Sequence, residues 1–313
     1  MIRHAHLAVL ALFIVTFPAC GGGSPSTGAG VAGGGNGGAT PPAAIQHVVL
    51  VVLENQNYLD VIGNSAMSYL NDLASGNALA TQFYANVHPS IGNYFMMTTG
   101  QEVNTNDAFS GTFSGESVAD ALHGSGKTWK IYAESLPAAG YTEGDQYPYI
   151  KHHNPFAYFD DIRNDPAQRN NIVPFSEFAD DSARGNLPNY SFVVPNNLHN
   201  GHDCPAGGSS CPLSDRLTAI DGWLRTNISP LVADSSFTSG GVLIVTFDES
   251  ATDDTMGGGR ILVVVAGGRI KTGFQSSTVY QFPSLLRFSL KSLGVQNYPG
   301  DSASAPDMDE FLK

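Results

Sequence analysis

Two continuous apolar runs in this chain each end on an acidic residue. Residues 47–53 run into Glu54, and residues 242–247 run into Asp248. Uninterrupted runs of valine, leucine and isoleucine are typical of strands that are buried on both faces of a parallel sheet. Ligands of such sheets collect at the carboxyl ends of the strands. The pattern therefore predicts acidic side chains at a ligand-binding edge, where carboxylates can hold a metal ion.

The rest of the chain alternates strand-like and helix-like periodicity, with Gly, Pro and Asn between the elements. The pattern predicts strands at residues 46–53, 128–133, 190–195, 242–247 and 260–266. It predicts helices at residues 65–75, 90–99, 116–125, 174–183, 213–228 and 282–293. Residues 136–173 are rich in Tyr, Pro, His and Asn, which is loop composition. This alternation predicts a layered α/β domain.

The amino-terminal segment has the pattern of an export signal. A short apolar stretch follows Arg3 and ends at Phe-Pro-Ala-Cys20. It is too short to span a bilayer, and it has the shape of the apolar core of a signal peptide. The cysteine motif resembles the lipobox of bacterial lipoproteins. We therefore expect a signal peptide at residues 1–19 and a membrane-anchoring lipid on Cys20, in the periplasm or at the cell surface; simple secretion is the alternative.

A stretch rich in Gly, Ser and Pro follows Cys20, and it has nothing to bury. We interpret residues 20–44 as a tether and residues 45–313 as one folded domain. The composition, with 42% hydrophobic residues, suits such a domain. The formal net charge is −13 and no basic cluster appears, so the sequence predicts no nucleic-acid partner.

Two further cysteines, Cys204 and Cys211, stand seven positions apart. An exported chain meets an oxidising compartment, so we expect a local disulfide between them. The alternative is a pair of thiolates in a metal site, although zinc sites generally use closer spacing and further Cys or His ligands.

A serine lies at the predicted start of a helix. In the segment from His88 to Gly100, Ser90 follows Pro89 and precedes an apolar helical stretch. Taken alone, this serine is a helix cap. The positive end of a helix dipole also attracts phosphate, and a serine oxygen deprotonated by a metal can attack it. Ser90 is therefore a candidate nucleophile.

From residue 46 to the end, the chain resembles the bacterial and fungal phosphoesterases that include acid phosphatases and phosphocholine-type phospholipases C. The resemblance rests on five segments in the family's order: Glu-Asn-Gln-Asn-Tyr at 54–58, His-Pro-Ser-Ile-Gly-Asn-Tyr at 88–94, His-Asn-Pro-Phe at 153–156, Pro-Asn-Asn-Leu-His-Asn-Gly-His-Asp at 195–203 and Thr-Phe-Asp-Glu at 246–249. It implies an alkaline-phosphatase-like fold, which is a central, mostly parallel sheet flanked by helices on both faces.

The resemblance also implies roles for the residues at the strand ends. Glu54, Asn55, Asp248 and Glu249 look like metal ligands, and Ser90 looks like both nucleophile and ligand. Oxygen donors of this kind suit one divalent ion, which is Mg, Ca, Mn or Zn. Such an ion lowers the pKa of the serine hydroxyl and offsets charge on the phosphoryl oxygens.

Three histidines complete the predicted site. His202, which Asp203 follows, matches the histidine that the family retains, and histidine is suited to protonating a leaving alkoxide. His153 and Asn154 look like phosphate and substrate contacts. His199 is the weaker candidate for substrate binding.

Two departures from the family pattern affect the metal count. A motif before the last helix has Phe282 where relatives have histidine, and Gly-Gly-Gly-Arg260 stands where relatives commonly have histidine after the acidic pair. We therefore predict a single-metal centre. Arg260 is either a phosphate contact or a charge at the start of a strand.

These residues predict a metal-dependent hydrolase of phosphoric monoesters, with a phosphate ester as substrate. One alternative is a phospholipase C-like phosphodiesterase whose choline headgroup sits in an aromatic cage. The available tyrosines are Tyr132, Tyr141, Tyr147, Tyr149 and Tyr158. A different alternative is a non-catalytic surface-binding lipoprotein, for which the missing histidines argue.

Overall fold

The structure, a computed structural model, describes residues 44–208 and 210–313. The predicted signal peptide, Cys20 and the predicted tether up to residue 43 lie outside the described residues. None of the helices in the described ranges is long and apolar enough to cross a membrane.

One sheet of eight strands organises the domain. In chain order the strands are β1 (His47–Leu53), β2 (Ala78–Tyr84), β3 (Trp129–Ala133), β4 (Ile172–Pro174), β5 (Tyr190–Val194), β6 (Gly241–Phe247), β7 (Arg260–Ala266) and β8 (Phe274–Ser276). Their order in the sheet is β4-β3-β5-β1-β6-β7-β2-β8. β7 runs antiparallel to both its neighbours, and every other pair is parallel. The sheet is therefore mostly parallel, as the sequence predicts.

The helices lie between and beside the strands. They are α1 (Tyr58–Val61), α2 (Ser68–Gly76), α3 (Ser90–Thr99), α4 (Val118–Gly124), α5 (Asp160–Asn164), α6 (Pro166–Arg169), α7 (Ser176–Ala183), α8 (Leu213–Asn227), α9 (Ser229–Ala233), α10 (Ser235–Gly240) and α11 (Phe282–Ser292). Short 3₁₀ helices occur at Ser65–Met67, Lys151–His153, Pro155–Tyr158, Gly300–Ala303 and Asp309–Phe311.

The helices form two groups, since α2 packs against α8 whereas α3 packs against α11 and α4. Every residue of β6 is buried, which requires both faces of the sheet to be covered. The predicted α/β class, with helices on both faces, is confirmed.

The long apolar runs were predictable and the short elements were not. All five predicted strands and all six predicted helices are present within a few residues of their expected ends. Three strands were missed: β2, whose Thr and Gln interrupt the apolar pattern, and the three-residue strands β4 and β8. The loop predicted at residues 136–173 is wrong in part, because it contains α5, α6 and two 3₁₀ helices that are too short to show periodicity.

The predicted disulfide between Cys204 and Cys211 is present, and the two Cα atoms are 5.8 Å apart. This separation is ordinary for a disulfide. The bridge closes a small loop directly after His202 and Asp203.

The turn between β6 and β7 lies in close contact with the chain that leads from β2 to α3. A Cβ atom on Gly257 would lie 2.0 Å from the carbonyl oxygen of Asn86. A Cβ on Gly259, which has φ +80°, would lie 1.9 Å from the carbonyl oxygen of Asp253. Only glycine fits at these two positions, so the turn fixes the chain just before Ser90.

We predict that Gly259→Ala destabilises the fold by more than about 2 kcal/mol, because the methyl group meets backbone and the backbone is left-handed. The matched control is Gly63→Ala, at φ +74° with open space around the position. This variant should lower the free energy of unfolding by only about 1 kcal/mol, which is the cost of a left-handed backbone at a residue other than glycine. Urea unfolding of both variants measures the difference, and equal destabilisation would contradict the steric account.

Candidate active site

The pairing of β1 with β6 brings the predicted acids together. The two strands pair in parallel, with Leu53 opposite Phe247, so the residues that follow them are neighbours. The backbone N–H of Asp248 donates to the carbonyl of Leu53 at 2.9 Å, and the N–H of Asn55 donates to Asp248 Oδ1 at 3.1 Å. Asn55 Nδ2 donates to Glu249 Oε1 at 3.3 Å.

Ser90 is the first residue of α3, and it faces this acidic edge. Its hydroxyl donates to Glu54 Oε2 at 3.2 Å, and the side chain is buried. One turn later, Asn93 Nδ2 approaches Glu249 Oε2 at 3.4 Å, while Asn93 Oδ1 accepts the backbone N–H of Asn86 at 2.9 Å. The helix therefore holds the serine and the turn before it in one arrangement.

Tyr94 and His153 complete the contacts of Glu54. The Tyr94 hydroxyl donates to Glu54 Oε1. His153 stacks on the Tyr94 ring, with centroids 5.3 Å apart and planes 23° apart, and its Nε2 is 3.3 Å from Glu54 Oε1. That nitrogen is buried but lacks hydrogen-bond geometry to any partner in the described residues. We therefore interpret the contact with Glu54 as proximity rather than as a formed hydrogen bond.

Three buried carboxylates without a strong counter-charge dominate the electrostatics of this edge. Glu54 and Asp248 are fully buried and Glu249 is 5% exposed. Burial raises the pKa of Glu54, and the charge of Asp248 raises it further. Burial also raises the pKa of Asp248. Burial and then Asp248 raise the pKa of Glu249 from 4.5 to about 9.

The ion-pair partners that the structure gives these acids are histidines. His88 Nδ1 lies 3.1 Å from Glu249 Oε2, and His153 lies beside Glu54. Burial lowers the pKa of His153, and the charge of His152 lowers it further, so His153 is a poor cation. The protein's own residues therefore offset the ionised forms of these acids only weakly, so the carboxyl groups tend to keep their protons unless a cation is bound.

The donor set fits a hard divalent cation in its chemistry. Asn55 Oδ1 and Asp248 Oδ2 are buried and have no hydrogen-bond partner among the described residues, which calls for an unseen partner. Asn55 also adopts a left-handed backbone, with φ +39°. However, no three His, Cys, Asp or Glu side chains in the described ranges form a ready-made metal site. The residues are brought together, and a cation would have to draw their oxygens closer.

His202 lies beside this group on the loop that follows β5. Its ring is 6.4 Å from the His153 ring, centroid to centroid, and its Nδ1 is 2.7 Å from Asp203 Oδ1. The side chain is 42% exposed. His202 is therefore open to solvent, and a carboxylate orients its ring.

The other two predicted substrate contacts have different surroundings. His199 pairs with Glu134, with Nδ1 2.9 Å from Oε1 and 3.0 Å from Oε2. Asn154 is fully buried, and its Nδ2 donates to the Tyr149 hydroxyl at 3.1 Å. Direct contact of Asn154 with a substrate remains a prediction, and its burial favours a role in positioning the adjacent His153.

Sequence reasoning missed three side chains that contact the acids. Asn93 and Tyr94 reach Glu249 and Glu54, and His88 contacts Glu249. The signal that points to the first two is helical spacing, since residues three and four positions after Ser90 share its face. Asp107 was also missed, and its Oδ1 accepts the N–H of Ile91 at 3.1 Å.

Two sequence interpretations do not fit the structure. Three of the five proposed cage tyrosines, Tyr132, Tyr149 and Tyr158, are at most 2% exposed and pack in the core, so they cannot enclose a choline group. Arg260 donates to the carbonyl of Thr81 and stacks on a tyrosine ring, which supports the strand-start interpretation over a phosphate contact.

Comparison with known proteins gives a family match. The sequence profile of the Phosphoesterase family matches residues 62–295. The phosphatidylinositol-3-phosphatase of Mycobacterium tuberculosis is 30% identical over 240 residues, which cover 75% of this chain and 73% of that protein. An acid phosphatase of Aspergillus fumigatus is 31% identical over 78% of this chain, but the match spans only 55% of the fungal protein.

Solved structures agree on the fold. A protein of the alkaline phosphatase superfamily from Vibrio parahaemolyticus superposes with a TM-score of 0.58 at 17% identity, over 86% of this chain and 72% of that chain. The lipoteichoic acid synthase LtaP from Listeria monocytogenes gives a TM-score of 0.59 at 14% identity, over 82% of this chain and 74% of that chain.

We predict that the metal-free protein loses stability as pH rises from about 5 to about 9. A carboxyl whose pKa is higher in the folded than in the unfolded chain binds more protons when folded. For Glu249, the stabilisation that this proton provides is complete below pH 4.5, and it is lost as the pH rises towards about 9. In chelator, the melting temperature of Glu249→Gln should therefore fall less steeply with pH than that of the unaltered protein. Glu102→Gln, at an exposed position, controls for the loss of one charge, and parallel curves for all three proteins would contradict the prediction.

Proposed function

The chain belongs to the Phosphoesterase family, and on this premise we propose that it is a metal-dependent phosphatase that hydrolyses phosphoric monoesters with Ser90 as nucleophile. The observation that carries the proposal is the buried contact of the Ser90 hydroxyl with Glu54, at the start of a helix and beside two further carboxylates. The names of the curated relatives, which are phosphatases, support the reaction class.

Ser90 has the position that attack on phosphorus requires. As the first residue of α3, it stands at the positive end of the helix dipole, where the substrate's phosphoryl group is favoured. Its oxygen forms a bond to phosphorus while the bond to the alcohol oxygen breaks, which leaves a phosphoserine. Water then attacks the phosphorus, releases inorganic phosphate and returns the serine.

The residues that would hold one divalent ion are Glu54, Asn55, Ser90, Asp248 and Glu249. When bound, such an ion supplies a lower pKa for the serine hydroxyl and neutralises charge on the phosphoryl oxygens. The orphaned oxygens of Asn55 and Asp248 support this donor set. Glu, Asn, Asp and Ser oxygens suit Mg, Ca, Mn or Zn to differing degrees.

His202 is the proposed general acid that protonates the departing alcohol oxygen. Its ring is exposed, is oriented by Asp203 and lies beside His153. We propose His153 and Asn55 as contacts for the phosphoryl group, with Asn154 and His199 as further substrate-side residues. His153 is held neutral by burial, so it can serve as a hydrogen-bond donor at mildly acidic pH.

A monoester fits the site better than a choline phosphodiester. Three of the five tyrosines that could form the aromatic cage of a quaternary ammonium group, Tyr132, Tyr149 and Tyr158, are buried in the core. A purely binding lipoprotein is also disfavoured, because it has no need of a serine and three acids in one buried group. We further propose export with a lipid on Cys20, which the disulfide supports because disulfides persist in oxidising compartments.

We predict that Ser90→Ala lowers kcat on p-nitrophenyl phosphate by about a thousandfold or more, because the covalent step is lost. The unaltered protein, assayed with each candidate divalent ion after chelation, provides the reference rate. Retained activity in the variant would contradict covalent catalysis. Hydrolysis of p-nitrophenylphosphorylcholine with none of the monoester would contradict the substrate class.

We predict that His202→Gln lowers kcat on glycerol phosphate by about a hundredfold, the usual value of general acid catalysis. The loss on p-nitrophenyl phosphate should be much smaller, since p-nitrophenolate leaves without a proton. His199→Gln is a matched control, because both histidines are about equally exposed, at 42% and 41%, and each pairs with a carboxylate. If the loss of kcat depended on the leaving group in His199→Gln and not in His202→Gln, then His199 rather than His202 would be the general acid.

A further inference from the structure

A small polar cavity borders His202. It has a volume of about 250 Å³, and its walls include His202, Asp203, the Cys204–Cys211 disulfide and Arg216. None of the steps proposed for Ser90 uses this space. Because His202, the proposed donor to the leaving alcohol, forms part of the cavity wall, the alcohol part of a substrate can extend into this cavity.

Arg216 has a buried donor without a partner. It lies in the first turn of α8, and its Nε is buried and makes no hydrogen bond to the described residues. Arg216 Nη1 donates a long hydrogen bond, of 3.4 Å, to the carbonyl oxygen of His202. Within the described ranges, no carboxylate lies within ion-pair distance of it, whereas Arg163, Arg184, Arg225 and Arg287 each have one.

The Nε atom itself is enclosed by protein, so a ligand in the cavity would meet the outer part of the guanidinium, whose charge no carboxylate of the described residues offsets. Buried polar groups are nearly always paired, and guanidinium keeps its charge at every accessible pH. The planar guanidinium presents several N–H donors that match carboxylate and phosphate oxygens. Asp203 is the acid in the cavity wall, and its Oδ1 is already engaged by His202 at 2.7 Å.

We propose that this cavity is a subsite for a second anionic group on the substrate's alcohol, with Arg216 as the residue that binds it. The proposal rests on the proposed function and specifies its substrate class: phosphoric monoesters whose alcohol also carries a carboxylate or a phosphate. Arg216 determines specificity and takes no part in the chemical step.

The test compares two substrates that differ in one group. Glycerol 3-phosphate and 3-phosphoglycerate share a carbon skeleton, and only the second carries a carboxylate on the alcohol. We expect the unaltered protein to prefer 3-phosphoglycerate by kcat/KM. In Arg216→Gln that preference should fall about tenfold, the value of one charge-assisted hydrogen bond, and Arg216→Lys should lie between the two.

A matched control comes from the same helix. Arg225→Gln also removes one positive charge from α8, but Arg225 pairs with Asp221. It should leave the preference unchanged, so a loss in both variants would indicate a general field effect and overturn the subsite. An unchanged preference in Arg216→Gln would overturn it as well.

Binding without turnover separates this proposal from the proposed function. In Ser90→Ala, calorimetry should show tighter binding of 3-phosphoglycerate than of glycerol 3-phosphate, and the additional change Arg216→Gln should abolish the difference. If the unaltered protein hydrolyses neither of these esters nor p-nitrophenyl phosphate, the proposed function fails, while the binding comparison still decides the subsite. Equal affinities in both backgrounds would overturn it.

A soluble and a lipid-borne substrate present the same chemistry, and a second comparison distinguishes them. Inositol 1,3-bisphosphate in solution is compared with phosphatidylinositol 3-phosphate in mixed micelles, each with and without Arg216→Gln. A loss on the soluble compound alone identifies soluble substrates, and a loss on the micellar one alone identifies lipids. No loss on either would contradict the subsite.

Discussion

The parallel pairing of β1 with β6 is the constraint on which the rest of the site depends. In-register pairing forces Glu54 and Asp248 to leave the sheet side by side, in a place that water does not reach. Burying like charges is costly, and a buried carboxylate tends to keep its proton unless a cation offsets it. The central strands, in which residues 48–53 and 241–247 are buried, supply apolar stabilisation that offsets this cost.

Helix α3 supplies the complementary groups from the other side of the cleft. Within its first five residues it presents a hydroxyl, an amide and a phenol to the acids. These three donors replace some of the hydrogen bonds that the carboxylates lose on leaving water. The helix thus combines a positive dipole end for an incoming anion with hydrogen bonds for the acids beneath it.

The sequence allowed the long elements and the strand-end acids to be predicted, because both depend on local pattern. The apolar runs at residues 47–53 and 242–247 define β1 and β6, and parallel topology then implies that Glu54 and Asp248 meet. Side-chain direction was less accessible. The sequence pattern alone would have predicted Tyr94 as one more aromatic residue of the core. The contact of its hydroxyl with Glu54 depends on how α3 packs against the sheet. The burial of Tyr149 and Tyr158 was also missed, since the short helices of this region leave no periodic signal.

The tight glycine turn between β6 and β7 ties the acidic pair and the serine turn into one rigid unit, because its backbone lies against residues 86 and 87. The loop after β5, which carries His202, is tied to the same edge, because the N–H of Glu54 donates to the carbonyl of Asn200 at 2.9 Å and Gln56 Nε2 donates to the carbonyl of Gly201 at 3.2 Å. The reactive groups are therefore held by backbone contacts on two sides, whereas Arg216 comes from a separate element, α8. An engineer who wished to redirect selectivity would exchange side chains of that helix and leave the glycines of the turn and Gly201 untouched.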